Sequence, residues 1–334
     1  MPELRRNPVT GQWVIIAEER SGRFRERTHH DGRLREAPYS EQCPFCPGNE
    51  ALTPPSVLEI PDPAGRWQVR GFPNKYPALS PEPSPEPSVR GRFFHAMPGE
   101  GVHEVIVESP VHNRLPACMT QSEMISVVQA HHERYLALLK ASTIEYVLVF
   151  KNYGDKAGTS LKHPHSQVIG TPVVPDDVGK RGSLAEEHYR REGQCLLCRV
   201  VGEELRSGER VVCRDAHYAV FHPFAASHFA ETWIVPMDHQ PSFGVVASVG
   251  LARFGSILGR TLKQLSVAFG DPDFNYVIHS SPRSIEGESR AYWHWYLRLI
   301  PRVADAGGFE LGTGIYINTA RPETTAESMR RAAI

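Results

Sequence analysis

Two halves of this chain carry the same marks in the same order, and any fold it adopts must accommodate that duplication. Cys43-Pro44-Phe45-Cys46 is answered by Cys195-Leu196-Leu197-Cys198, and the segment from Phe72 to Ala78 by Phe221-His222-Pro223-Phe224-Ala225-Ala226. The stretch from Glu104 to His112 is answered by Glu231 to His239, with the histidine eight positions after the glutamate each time. A helical pattern from about Thr120 to Lys140, opened by the capping signature Thr120-x-x-Glu123, matches one at about Ser248 to Phe269. Finally, His163-Pro164-His165-Ser166-Gln167 is matched by His294-Trp295-Tyr296-Leu297-Arg298. Self-similarity of this kind is weighed before local pattern, because missing it misassigns the whole fold. It divides the chain into an N-terminal repeat over 1–174 and a C-terminal repeat over 190–334. The polar, Gly-containing stretch from 175 reads as a connector over 175–189.

Each repeat offers two cysteines and two histidines in the order C-x-x-C, His, His. A structural zinc takes four tetrahedral N/S ligands, and this is the set supplied twice. The first site is assigned to Cys43, Cys46, His112 and His163, the second to Cys195, Cys198, His239 and His294. In a reducing compartment such pairs are metal ligands or redox dithiols rather than structural disulfides, and nothing around either pair marks a thioredoxin-like unit. Cys118 and Cys213 have no evident partner.

The copies differ where chemistry would occur. In an extended segment His163, His165 and Gln167 share one face, with Pro164, Ser166 and Val168 on the other. With His163 held by metal, His165 is left free to attack an electrophilic phosphorus, and Gln167 could hold a phosphoryl oxygen. The second repeat has Tyr296 and Arg298 at these positions, so an imidazole nucleophile exists once per chain. Asn152 to Ser160 is a Gly-containing loop that delivers the chain to His163, the order expected of a phosphate site.

Charge excludes some classes. Lys plus Arg (37) nearly balance Asp plus Glu (38), which gives no field for nucleic acid. A non-enzymatic zinc-ribbon or scaffold module is the remote alternative, disfavoured because far more chain separates Cys46 from Cys195 than the ~15 to 20 residues between the knuckles of one ribbon. No apolar run reaches the roughly 18 residues of a membrane span, and the N-terminus leads into no apolar signal region. The expectation is a cytoplasmic protein that does not engage membranes.

Along nearly its whole length, from Trp13 to about Glu323, the chain resembles the histidine-triad superfamily, and within it the galactose-1-phosphate uridylyltransferase family. The marks are the C-x-x-C, the His112 segment, Asn152, Ser160 upstream of His163-Pro164-His165-x-Gln167, and the tail from Gly308 to Asn318. The resemblance implies an α+β fold of two fused histidine-triad repeats, each an antiparallel sheet flanked by helices, assembled as a homodimer. It implies two zinc ions per chain and a ping-pong exchange in which His165 takes a nucleotidyl group from a nucleotide sugar and passes it to a sugar 1-phosphate, as in UDP-glucose with galactose 1-phosphate. Gln167 and Ser160 would hydrogen-bond the phosphoryl oxygens. Arg20, Arg23, Asn74, Asn152, Glu310 and Gly312 match substrate-contacting positions. Three departures stand out. Ser166 replaces the glycine of the best-known uridylyltransferases, and the second repeat has a C-x-x-C where several of them use Glu and His. The Gly-Phe-Glu-Leu-Gly-Thr-Gly tail looks like that of a plant branch acting on ADP-glucose with phosphate as acceptor. A histidine-triad hydrolase passing the group to water is disfavoured, because in relatives this tail shapes the sugar side.

Overall fold

Strand pairing carries the duplication into three dimensions. The computed structural model describes residues 1–19, 36–82, 88–90, 92–285 and 287–332. Strands β1 (Glu3–Arg6) and β2 (Trp13–Ile16) pair antiparallel, and β15 (Tyr316–Asn318) joins β2 in parallel near the end of the chain. The first repeat contributes β3 (Leu58–Pro61), β4 (Trp67–Pro73), β7 (Val102–Val107), β8 (Tyr146–Tyr153) and β9 (His165–Thr171) to the main sheet. The second contributes β10 (Val211–Arg214), β11 (Tyr218–Phe221), β12 (Thr232–Pro236), β13 (Phe274–His279) and β14 (Tyr296–Pro301). A separate hairpin joins β5 (Ser88–Arg90) and β6 (Phe94–Ala96).

The main sheet has ten strands in the order β10-β11-β12-β14-β13-β8-β9-β7-β4-β3, each pair antiparallel. Read outward from the central β8–β13 pair, the halves run 8-9-7-4-3 and 13-14-12-11-10. Each strand thus has its counterpart in the other repeat, and the fold is α+β as expected. The register also refines the alignment of the repeats. Val105 faces Gln167 and Trp233 faces Arg298, so Glu104 corresponds to Thr232 rather than Glu231. The turn that carries His239 is therefore one residue shorter than the turn that carries His112.

Alternation assigns the sheet's two faces. Ile106, Val149, Val168, Ile234, Tyr276, Leu297 and Leu299 pack under helices α1 (Gln121–Leu139) and α4 (Ser248–Phe269) in one buried core. Helix α1 begins with the predicted capping box: Thr120 Oγ1 accepts from the Glu123 N–H at 3.3 Å, and Glu123 Oε2 accepts from the Thr120 N–H at 2.7 Å. On the opposite face, Phe72, Val105 and Val107 pack with Cys43, Phe45 and Cys46, while Ala219, Phe221, Trp233 and Val235 pack with Cys195 and Leu197. Both cysteine knuckles thus lie on the face turned away from α1 and α4.

The stretch expected to be a connector is helix α2 (Asp176–Glu192). Its glycines and charges argue for a loop in sequence, but its ends carry helix signals. Asp176 and Asp177 occupy the first turn, Arg190 and Arg191 the last, and Gly193 closes it at φ 69°. Gly182 faces Trp293 so closely that a Cβ would lie 2.7 Å from its ring, which gives this glycine a packing role. Helices α3 (Leu196–Ser207), α5 (Gly308–Thr313) and α6 (Pro322–Arg331) complete the chain. Among the described residues no helix is long and apolar enough to cross a membrane.

Candidate active site and metal centres

The first knuckle is shaped by its own backbone. The Cys46 N–H donates to the Cys43 carbonyl at 3.2 Å, and the Asn49 side-chain amide donates to that carbonyl at 2.8 Å. The turn brings Cys46 Sγ to 3.5 Å from His112 Nδ1 and 3.7 Å from His163 Nδ1, and Cys43 Sγ to 3.6 Å from His163 Nδ1. In the second cluster Cys198 Sγ lies 3.5 Å from His239 Nδ1 and 3.3 Å from His294 Nδ1, with Cys195 Sγ 3.9 Å from His294 Nδ1. Within each set the ligand atoms lie within 4.8 Å of one another. A tetrahedral ion with ordinary Zn–S and Zn–N bond lengths gives S···N edges of about 3.6 Å. Both four-residue sets assigned from sequence fit that figure.

Each Nδ1 must be unprotonated to hold a metal, which places the proton on Nε2. In His163 that proton is donated to the Ser109 carbonyl at 2.7 Å, and in His239 to the Arg290 carbonyl at 3.0 Å. Burial pushes the His163 pKa down to about 4, so the ring is neutral as a ligand requires. Nε2 of His294 is buried with no protein partner.

His165 opens β9 opposite Val107, two residues beyond His163 of the first Cys₂His₂ cluster. Its Nδ1–H donates to the His163 carbonyl at 2.8 Å, which leaves the Nε2 lone pair for chemistry. The ring is 6% exposed and meets Phe45 edge-on at 5.3 Å between centroids. Burial lowers its pKa, which keeps the imidazole neutral. It sits between two clefts. One, of about 170 Å³, is lined by Asn152, Gly154, Asp155, Thr159 and Lys162; the other, of about 380 Å³, by Phe45, Phe72, Asn74, Tyr76, Ser160 and Gln167.

Four residues expected at the site, Ser160, Gln167, Asn74 and Asn152, therefore converge on His165. Asn152 Oδ1 accepts from Asn275 Nδ2 at 2.8 Å, and Asn74 Oδ1 accepts from the Tyr76 N–H at 2.9 Å, so each amide is oriented. Gln167 has a partner that the sequence did not single out. His103 Nδ1 accepts from the Ala78 N–H at 3.1 Å, which leaves Nε2–H to donate to Gln167 Oε1 at 2.8 Å. With its oxygen occupied, Gln167 presents its NH₂ as a donor to the cleft.

A second group missed in sequence lies beneath His165. Buried Lys151 pairs with buried Glu108 and donates to the His165 carbonyl at 3.1 Å. Burial alone would raise the Glu108 carboxyl, but Lys151 and His131 hold it below the usual carboxylate range. The Tyr276 hydroxyl donates to the same carboxylate at 3.3 Å, and the His131 ring meets Ser166 Oγ at 2.7 Å. A lysine and a glutamate far apart in sequence gave no local signal. Their pairing arises from the sheet order, which sets β8 and β7 on either side of β9.

Arg20 and Arg23 lie outside the described residues. Glu310 and Gly312 are in α5, where Glu310 Oε2 accepts from the Gly307 N–H at 2.9 Å and caps that helix. Neither lines the two clefts beside His165.

Comparison with known proteins gives concordant matches. The family model described as galactose-1-phosphate uridyl transferase, N-terminal domain, matches residues 1–175. An ADP-glucose phosphorylase of Arabidopsis thaliana is 34% identical over 339 residues, covering 100% of this chain and 93% of that protein. A galactose-1-phosphate uridylyltransferase of Thermotoga maritima is 26% identical over 100% of this chain and 99% of its own. A crystal structure of an Arabidopsis thaliana ADP-glucose phosphorylase with bound ADP-glucose superposes with a TM-score of 0.85 at 32% identity, covering 100% of this chain and 99% of that one.

Proposed function

The chain belongs to the galactose-1-phosphate uridylyltransferase family of nucleotidyltransferases, and from that premise we propose that it transfers a nucleoside monophosphate from a nucleotide sugar through a covalent intermediate on His165. The observation that carries this reading is the Nε2 lone pair of His165, freed by the Nδ1–H bond to the His163 carbonyl and flanked by two clefts. Nε2 attacks the α-phosphorus, a P–N bond forms, and the bond from that phosphorus to the bridging oxygen breaks, releasing sugar 1-phosphate. An oxygen of the acceptor then attacks the same phosphorus and the P–N bond breaks, so one difficult displacement becomes two easier ones. The NH₂ of Gln167 and the hydroxyl of Ser160 donate to the non-bridging oxygens as charge shifts onto them. Asn74 and Asn152 line opposite clefts and are assigned to the two ends of the nucleotide sugar.

Zinc is assigned to both Cys₂His₂ clusters, where it supplies a structural clamp. The free cysteines of both knuckles suit a cytoplasmic, reducing setting. Because neither Glu310 nor Gly312 lines the clefts beside His165, their role toward the sugar is assigned to a second copy in a homodimer. Arg20 and Arg23 keep the phosphate-neutralising role that the family resemblance implies.

Two donors fit. Exchange between UDP-glucose and galactose 1-phosphate is the activity that the matching family and the Thermotoga relative are named for. ADP-glucose with phosphate as acceptor is favoured by the higher identity to the plant phosphorylase, 34% against 26%. Intact mass after incubation with UDP-glucose or ADP-glucose, without acceptor, separates them. A UMP adduct assigns uridylyl transfer and an AMP adduct adenylyl transfer, while no adduct from either overturns the mechanism. His165→Ala should abolish the adduct and keep the metal content; His163→Ala should lose metal as well.

A further inference from the structure

The second repeat has a cavity where the first has a reactive cleft. In the β8–β9 pair Phe150 faces Gln167, and in the β13–β14 pair Val277 faces Arg298. His279 is therefore the counterpart of Asn152, and Tyr296 that of His165. Around these two residues lies a cavity of about 30 Å³, walled also by Arg181 and His294. A single water needs about 10–15 Å³, so the space holds roughly two waters or one small ion.

The polar atoms here share one character. The Tyr296 hydroxyl, both ring nitrogens of His279 and Nε2 of His294 are buried without a protein partner. Tyr296 is 3% and His294 7% exposed, and the rings of His279 and Tyr296 lie 4.9 Å apart. His294 directs Nδ1 at the cysteines, so its Nε2 carries a proton and can only donate. The Arg181 guanidinium reaches this group from α2 and acts electrostatically on both His279 and Tyr296. No ion pair to a described carboxylate neutralises it, whereas Arg298, which also acts on His279, is matched by Glu231 at 2.7 Å. Buried polar groups left without partners are costly, and this space is met by the Tyr296 hydroxyl, the His294 Nε2–H, the single N–H of the neutral His279 ring and the half-buried, cationic Arg181 guanidinium, which favours an anion over a metal cation.

We propose that this cavity is a binding site for a small inorganic anion of chloride size, held by Arg181, Tyr296, His294 and His279. The site is independent of the nucleotidyl transfer assigned to His165. The anion would compensate Arg181 and occupy the four donors at once, bracing α2 against β13 and β14. The duplicated cleft has lost its nucleophile while keeping a preference for negative charge.

The test uses the full-length protein in a chloride-free gluconate buffer. Crystals soaked in sodium bromide should show an anomalous peak within hydrogen-bonding reach of Tyr296 Oη and the Arg181 guanidinium. In solution, replacing gluconate by chloride at constant ionic strength should raise Tm by about 2 °C or more. Arg181→Met and Tyr296→Phe should each lose that rise while keeping the wild-type metal content, and the two variants serve as independent checks should one fold poorly. A cavity holding only water in bromide-soaked crystals, or a chloride effect undiminished in both variants, overturns the proposal.

Discussion

At the scale of single residues, the site depends on which atom of each polar group is already occupied. His165 has spent its Nδ1 proton on the His163 carbonyl, and Gln167 has spent its oxygen on His103. Gln167→Ala removes a donor aimed at developing charge and should slow formation of the nucleotidyl adduct about 100-fold. His103→Ala leaves the amide in place but frees it to rotate. We expect a loss of about 10-fold, in line with one hydrogen bond's worth of orientation. The double variant should be no slower than Gln167→Ala alone where His103 acts through that amide and not through Asn74, whose side-chain amide lies 3.3 Å from the same Nε2. Single-turnover mass labelling measures all three, and additive losses would show His103 to have a separate role. The placement of His165 beside His163 and Gln167 was legible in sequence because His-x-His-x-Gln puts its members on one face of a strand. His103 was not, because it is one of sixteen histidines and sits diagonally across from Gln167 only once β7 pairs with β9.

A buried ion pair at the same scale sets an acid limit. Glu231 is 1% exposed; burial would raise its pKa, but Arg298 beside it holds the carboxyl well below the usual range. A lowered folded-state pKa adds stability above the ordinary carboxylate value, and that stability is lost as pH falls through the lowered value. Glu231→Gln leaves the Arg298 guanidinium unpaired and should cost about 3–5 kcal/mol near pH 7. The deficit should hold steady down to about pH 5 and shrink below about pH 4.5, as wild type loses the same contribution. Urea denaturation across pH 3–7 measures it; a deficit that grows on acidification would refute the assignment.

Among the elements, α1 and α4 cross closely where the repeats meet. A Cβ at Gly255 would lie 2.8 Å from the Ile125 Cα and 3.0 Å from its backbone N, whereas one at Gly259, a turn later, would meet Met124 side-chain atoms at an ordinary 3.5 Å. Alanine is favoured over glycine inside a helix by about 1 kcal/mol. Gly259→Ala should therefore raise Tm slightly. Gly255→Ala should lower it, because backbone cannot yield as a flexible side chain can, with a net cost of about 1–3 kcal/mol. Equal effects at the two positions would show that the helices can slide apart. Both helices and the Thr120 cap could be read from period and capping signature. Helix α2 could not, because two interior glycines and many charges outweigh in sequence the end signals that Asp176, Asp177 and Gly193 supply. The one-residue offset between Glu104 and Glu231 was hidden for a related reason: each precedes its histidine by the same interval, and only strand pairing shows that the second turn is shorter.

Over the whole molecule, two equivalent Cys₂His₂ clusters have unequal surroundings. The ligand order C-x-x-C, His, His could be read twice in the sequence, but the joining of the repeats into one sheet through β8 and β13 could not, since no residue pattern states which strand edges meet. That junction puts both clusters on one continuous sheet, but their neighbours differ: His163 is followed two residues on by His165, whereas His294 is followed by Tyr296. Cys43→Ser should lose one zinc per chain and the adduct together, because the segment that fixes His165 loses its anchor. Cys198→Ser should also lose one zinc and lower Tm, since ligand loss couples to folding, yet still label His165 at 25 °C at close to the wild-type rate. Metal analysis alongside intact-mass labelling of the two variants decides the matter. If Cys198→Ser abolished labelling as completely as Cys43→Ser, the second clamp would have to act on the reaction through the shared sheet, and the repeats would be coupled in catalysis as well as in folding.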